Sequence, residues 1–225
     1  MTSGGTVLRM STHRPGSVAL ETRRPVRWFA DPSFYLALRR TVIPLLRTYP
    51  SIDVWHPACG SGEDAYATAI VLREEGLEGR FRVYATDARA QAVARGASGD
   101  YPLATLAASN EAYLDAGGTA DLDDYYTTSG SGRAVMIPEL RRRVSFFHHD
   151  ASFEASFNEF HLIVCRDALA TESEWTRQRV LSLLHASLCR FGVLAVGRAE
   201  ATSPSLHTGS YEEIGRGEWL YRRVR

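Results

Sequence analysis

The chain has 225 residues, 44% of them hydrophobic and 23% charged, which suits one well-buried α/β domain and not two large ones. Its 26 basic residues balance 26 acidic ones, so no net field draws it to nucleic acid or to an anionic membrane. Every basic residue is arginine; without a lysine the chain can carry neither a Walker-type phosphate loop nor a pyridoxal Schiff base. No apolar stretch approaches the length of a bilayer span, and Met1 to Glu21 lack the apolar core of a signal peptide. The cysteines Cys59, Cys165 and Cys189 show no paired metal spacing, and their odd number suits a reducing compartment. Cytoplasm is the expected location.

Residues 1 to 22 are polar and without periodicity and read as a disordered tail, ahead of one domain over 23–225. Asp31-Pro32 reads as a helix start, followed by Phe34, Leu38, Val42 and Leu45 at helical spacing. Pro44 lies inside that pattern and is expected to kink or shorten the helix. Ile52 to Trp55 is a short β-type run that leads into the turn Pro57-Ala58-Cys59-Gly60-Ser61-Gly62. A helix is expected from about Glu63 to Glu75, with Ser61 and Asp64 spaced as a capping box. Phe81 to Ala85 reads as a second strand ending at Asp87, and a further helix as running from about Arg89 to Ala97. This order opens a doubly wound, mostly parallel sheet of Rossmann-like type.

Asp100 to Asp124 reads as mostly helical or irregular. Tyr125 to Thr128 and Ala134 to Ile137 flank Ser129-Gly130-Ser131-Gly132 as a small hairpin, the centre of an expected inserted β-subdomain at about 123–146. Val144 to Phe147 and Phe160 to Cys165 read as strands, Ser173 to Leu188 as a helix and Val193 to Val196 as another strand. Tyr211 to Val224 suggests a last pair of hairpin strands.

A strand that hands over to a helix through glycines lets a ligand approach the backbone, and an acidic residue ending the next strand grips a ribose. Gly60, Ser61 and Gly62 with Asp87 have that arrangement. A sulfonium cofactor needs no pyrophosphate cradle, only close backbone approach and carboxylates for its cationic groups; Glu63 and Asp87 suit those demands. Spacing alone leaves a nicotinamide enzyme and a methyltransferase both open. Ala65, where the dinucleotide fingerprint has its third glycine, weighs against nicotinamide.

Four ordered segments resemble the CheR family of chemotaxis receptor methyltransferases. Trp28 to Phe34 resembles the family's FFRDPxxF entry, and Val54 to Tyr66, with Tyr84 to Asp87, its glycine turn and ATDI segment. Pro138 to Phe146 resembles PELRRRVxF, and Leu162 to Leu169 resembles LIxCRNVL. The resemblance implies a class I methyltransferase fold with a small β-subdomain, S-adenosylmethionine as cofactor and S-adenosylhomocysteine as product. It implies methyl transfer to a side-chain carboxylate. Carried over by position, the cofactor residues are Gly60, Glu63, Asp87, Asp150, Ala151, Arg166 and Asp167, with Ala58, Ser61 and Gly62 completing the turn. The implied partner is a receptor-like or signalling protein met through the β-subdomain, with a small-molecule acceptor as the other reading; neither nucleic acid nor membrane insertion is expected. The family's N-terminal helical domain has no counterpart in the residues ahead of the match.

The departures lie on the reacting side. The family's entry arginine is Ala30, its tyrosine after LIxCRNVL is Thr171, and its late GHSE is Gly197-Arg198-Ala199-Glu200. Asp150 and Asp167 stand where the family usually has asparagine. Arg24, Arg27 and Arg198 are the candidates to replace the lost arginine. These losses raise an alternative, a non-catalytic protein that binds cofactor or product on the same fold. His148-His149-Asp150 is not read as a metal site, because adjacent strand residues face opposite sides. Cys59 and Cys165 read as packing residues, Trp28 and Phe29 as core, and Arg141-Arg142-Arg143 as a solvated run.

Overall fold

A computed structural model describes residues 28–166, 168–170, 172–203, 206, 209–215 and 217–225, apart from the side chain of residue 199. The expected tail at 1–22 lies outside these residues.

The first helical segment is α1 (Pro32–Ala37), a π-turn over Leu38–Val42 and α2 (Ile43–Leu46). Pro32 stands in the first turn of α1, where a missing N–H costs nothing. Pro44 does not end the helix. The π-turn just before it widens the backbone where the proline ring and its absent N–H would break a regular ladder.

Strand β1 (Ile52–Pro57) leads through the glycine turn into α3 (Glu63–Leu72). The expected capping box does not form, because the N-cap is Gly62 in the left-handed region and not Ser61. Ser61 Oγ instead donates to the Glu63 carboxylate at 2.8 Å, and Asp64 accepts from the Tyr35 hydroxyl at 3.0 Å. Almost every side chain of α3 from Ala65 to Leu72 is buried, as befits a helix covered on both sides.

There follow β2 (Phe81–Asp87), α4 (Ala90–Ser98), β3 (Asp100–Pro102), α5 (Leu103–Ala107) and α6 (Asn110–Asp115). The hairpin is β4 (Tyr126–Ser129) with β5 (Arg133–Met136), after which come α7 (Pro138–Arg141) and β6 (Val144–His148). The chain closes with β7 (Phe160–Cys165), α8 (Glu174–Ser187), β8 (Leu188–Val196), α9 (Arg198–Ala201), β9 (Tyr211–Gly215) and β10 (Leu220–Arg223).

Seven strands form the main sheet in the order β6-β2-β1-β7-β8-β10-β9. The pairs from β6 to β8 are all parallel, and β10 alone runs against its two neighbours. One apolar cluster, with Phe34, Leu38, Val54, Tyr66 and Val83, packs α1 to α3 on one face. A second, with Trp55, Phe160, Ile163, Val180 and Leu184, packs α8 on the other. Burial of a large apolar side chain contributes roughly 1.5–3 kcal/mol, so these two layers supply most of the folding drive.

The hairpin gains a third strand: the small antiparallel sheet has the order β3-β5-β4. Its extra strand comes from residues expected to be helical or irregular. Val144 to Phe146, at the end of the expected inserted segment, belong to the main sheet as part of β6. The connection from β6 to β7, residues 149–159, carries no helix.

Candidate functional site

Parallel strands deliver their carboxyl ends to one edge, and the sequence-derived site residues collect there. Asp87, the last residue of β2, is completely buried, and its Oδ2 accepts from the Gly60 amide at 2.9 Å. That bond ties the acid of one strand to the glycine turn of its neighbour, as the spacing required. The Cys59 amide adds a second tie to the Thr86 carbonyl at 2.9 Å.

The turn depends on backbone geometry. Gly60 and Gly62 have φ of 58° and 91°, and Ala58 adopts 49° despite its side chain. A Cβ on Gly62 would lie 2.5 Å from the Phe146 ring, which fills the space beneath the turn. Gly62 is therefore fixed twice, by its left-handed φ and by the ring. Glu63 stands at the start of α3 with its carboxylate accepting from Ser61 Oγ, and burial raises its pKa.

Asp150 and Ala151 come one residue after the end of β6, and the intervening His149 amide donates to the Asp87 carbonyl at 3.3 Å. They therefore stand beside the end of β2. The Asp150 carboxylate accepts from the Ser152 amide at 2.9 Å in a local turn. Arg166, just past β7, is drawn toward Asp31: one Nη bonds the Asp31 carboxylate, and the guanidinium stacks 4.1 Å from the centre of Phe34. Asp167 lies outside the described residues, as do Thr171, Arg24 and Arg27. Arg198 opens α9 with an exposed side chain, and Ala30 is exposed.

Several buried polar atoms are without a hydrogen-bond partner, among them Trp28 Nε1, His56 Nε2 and Arg166 Nε. A buried donor or acceptor left unmade costs about 1–3 kcal/mol, and such groups in a native fold call for a ligand or a functional reason. Trp28 packs edge-on at 4.9 Å to Tyr101, whose hydroxyl bonds the turn at the Ser61 carbonyl. His56, next to last in β1, is buried, and that burial lowers its pKa to about 3.

Sequence reasoning missed three contributors. Tyr101, from β3 of the small sheet, donates to the Ser61 carbonyl at 2.7 Å and so couples that sheet to the turn. Phe146 props Gly62 and Gly96. Arg89 grips Asp87 with its side chain. The proximity of Arg89 to Asp87 in sequence was the one available signal. His149, by contrast, packs against Trp55 and Phe157, and Cys165 is fully buried; burial pushes the Cys59 thiol up.

A doubly wound sheet whose single reversed strand lies one from the edge, with a glycine turn after β1 and a buried acid ending β2, defines a class I S-adenosylmethionine-dependent methyltransferase. Residues 26–214 match the family model described as CheR methyltransferase, SAM binding domain. The chain belongs to that family and is a CheR-type, S-adenosylmethionine-dependent methyltransferase. It is 38% identical over 195 residues to a Pseudomonas putida protein bearing the name methyltransferase Cher3, covering 87% of this chain and 71% of that one. To chemotaxis protein methyltransferase 1 of Pseudomonas aeruginosa it is 26% identical, covering 88% and 75%. Among solved structures, a methyltransferase of Geobacter sulfurreducens in complex with S-adenosyl-L-homocysteine aligns with TM-score 0.41 at 18% identity, covering 79% of this chain and 52% of that one. The family match and the two named relatives do not favour the non-catalytic alternative. No helix among the described residues is long and apolar enough to cross a membrane.

Proposed function

We propose that the protein esterifies a side-chain carboxylate of a receptor-like signalling protein in the cytoplasm, and that the small sheet is the inserted subdomain that meets this partner. The bond between buried Asp87 and the Gly60 amide carries the reading, because it joins the acid ending β2 to the glycine turn. The names of the relatives as chemotaxis methyltransferases support the acceptor class, and the odd number of cysteines supports the compartment.

In this reading Asp87 takes the ribose hydroxyls and Glu63 the amino group. Ala58, Gly60, Ser61 and Gly62 let the backbone approach, and Asp150 and Ala151 border the base. The buried, partner-free Nε of Arg166 is available to the bound molecules. S-adenosylmethionine supplies a methyl group on a sulfonium centre. A carboxylate acceptor is already an anion, so the chain needs no general base; it has to align the acceptor and exclude water. The unspent N–H of Trp28 and of Arg166 take the acceptor-holding part in place of the family's arginine and tyrosine.

A labelled-methyl assay against receptor cytoplasmic fragments and small carboxylic acids tests this. The expected product is a base-labile protein methyl ester, with incorporation reduced ~100-fold by Asp87→Ala, the scale of loss for one key polar contact. Label appearing only in the small acids, or unaffected by Asp87→Ala, would overturn it.

A further inference from the structure

Asp87 is more fully occupied than a waiting ribose site needs to be. Its Oδ1 accepts from the Arg89 amide and from Arg89 Nε, each at 2.9 Å. Its Oδ2 accepts from the Gly60 amide at 2.9 Å and from Arg89 Nη2 at 3.2 Å. A carboxylate offers about four lone-pair sites, so these four bonds fill it.

The four bonds fall into two kinds. The two backbone amides are fixed by the turn and by the start of α4. The other two form a guanidinium fork, two parallel N–H donors aimed at the two oxygens. A vicinal diol presents two O–H donors to a carboxylate in the same bidentate manner. The fork therefore uses the acceptor capacity that the 2′- and 3′-hydroxyls of a ribose would use. Arg89 is the more accessible member of the pair: its side chain is 36% exposed, against 0% for Asp87.

We infer that Arg89 is a built-in competitor for the ribose-binding carboxylate and so sets the affinity of the cofactor site. The guanidinium neutralises buried Asp87, and cofactor binding displaces the fork from its carboxylate. Each binding event then exchanges a charge-assisted fork for two neutral hydroxyl donors. Removing Arg89 raises the free energy of the unliganded state, because a buried carboxylate loses its counter-charge. The ligand regains that difference when it binds. The inference rests on the reading that Asp87 holds the ribose.

Calorimetric titration of the whole chain with S-adenosylhomocysteine, in wild type, Arg89→Ala, Arg89→Gln and Asp87→Ala, separates the possibilities. Arg89→Ala and Arg89→Gln are expected to bind ~10-fold tighter, the equivalent of one lost charged contact. The wild-type affinity should rise with added salt, which screens the half-exposed fork, and that rise should be absent in both variants. The ligand should raise the melting temperature more in Arg89→Gln than in wild type. Unchanged or weaker binding in both Arg89 variants, with binding lost in Asp87→Ala, overturns the inference and leaves the ribose reading standing. Undiminished binding by Asp87→Ala overturns both.

Discussion

Glu74, in the π-turn after α3, and Asp87, at the end of β2, are both buried carboxylates held by several donors. The partners of Glu74 come from far along the chain: the hydroxyls of Tyr113 and Tyr125, the Arg39 guanidinium and the Thr119 amide. Arg39 is itself only 8% exposed and Glu74 3%, so this ion pair is largely shut away from water. It rivets the first helix, α3 and the segment ahead of the small sheet into one body. Asp87 is held by two backbone amides and by a side chain two residues away that reaches solvent. The first arrangement cannot open without unfolding the region. The second can exchange one partner and keep its frame. A buried charge fastened by distant elements is architecture, whereas one fastened by a local, half-exposed cation is prepared for exchange.

The comparison predicts a severe effect at Glu74. Glu74→Ala leaves Arg39 with Glu75 and the Ala116 carbonyl but takes the acceptor from two tyrosine hydroxyls, and should cost about 3 kcal/mol of stability in urea unfolding. A loss below about 1 kcal/mol would mean that the cluster is not the joint described. A smaller effect comes from His56 on the same edge as Asp87. Burial holds its pKa to about 3, against 6.5 for a free imidazole. As pH falls below 6.5 the unfolded chain takes up a proton that the folded chain refuses until about 3, so stability is full above pH 6.5. It should decline by about 1.4 kcal/mol per pH unit below that point, and His56→Gln should remove this component. Urea midpoints of the two proteins between about pH 7 and pH 4 decide the matter; parallel curves would refute it. Smallest is Tyr101→Phe, which deletes the bond to the Ser61 carbonyl. It should cost about 1 kcal/mol and loosen cofactor binding several-fold, since the small sheet would no longer brace the turn. An unchanged affinity would show that the two sheets act independently.

The legible parts of this chain were those governed by local periodicity and by a few obligatory residues. The strands of the main sheet read clearly because buried parallel strands are short runs such as Phe160 to Cys165. Gly62 and Asp87 read clearly because the turn demands a left-handed residue and the Gly60 amide an acceptor at the end of the next strand. What escaped was set by tertiary contact. Strand β3 has three residues and includes Pro102, too short for a pattern, and exists because β5 offers it an edge. Ser61 looked like an N-cap, yet the backbone turns left-handed one residue later. Pro44 looked like a break, and a π-turn absorbed it. Arg89 lay inside a predicted helix start, where only coordinates reveal that its side chain folds back on Asp87.

The helix-free link between β6 and β7 also has a thermodynamic consequence. Where a doubly wound sheet normally carries a second layer, this one has Phe147, Phe153 and Phe157 between 45% and 54% exposed, with Tyr84 stacked on Phe147. Strand β6 is the sheet's edge on that side, so it is paired through β2 alone as well as thinly covered. Stability is spread unevenly through a fold, and sparsely covered edges open before the centre. A peeling of β6 therefore precedes any opening of β1 and β7, and it withdraws Phe146 from beneath Gly62 and lets the glycine turn relax.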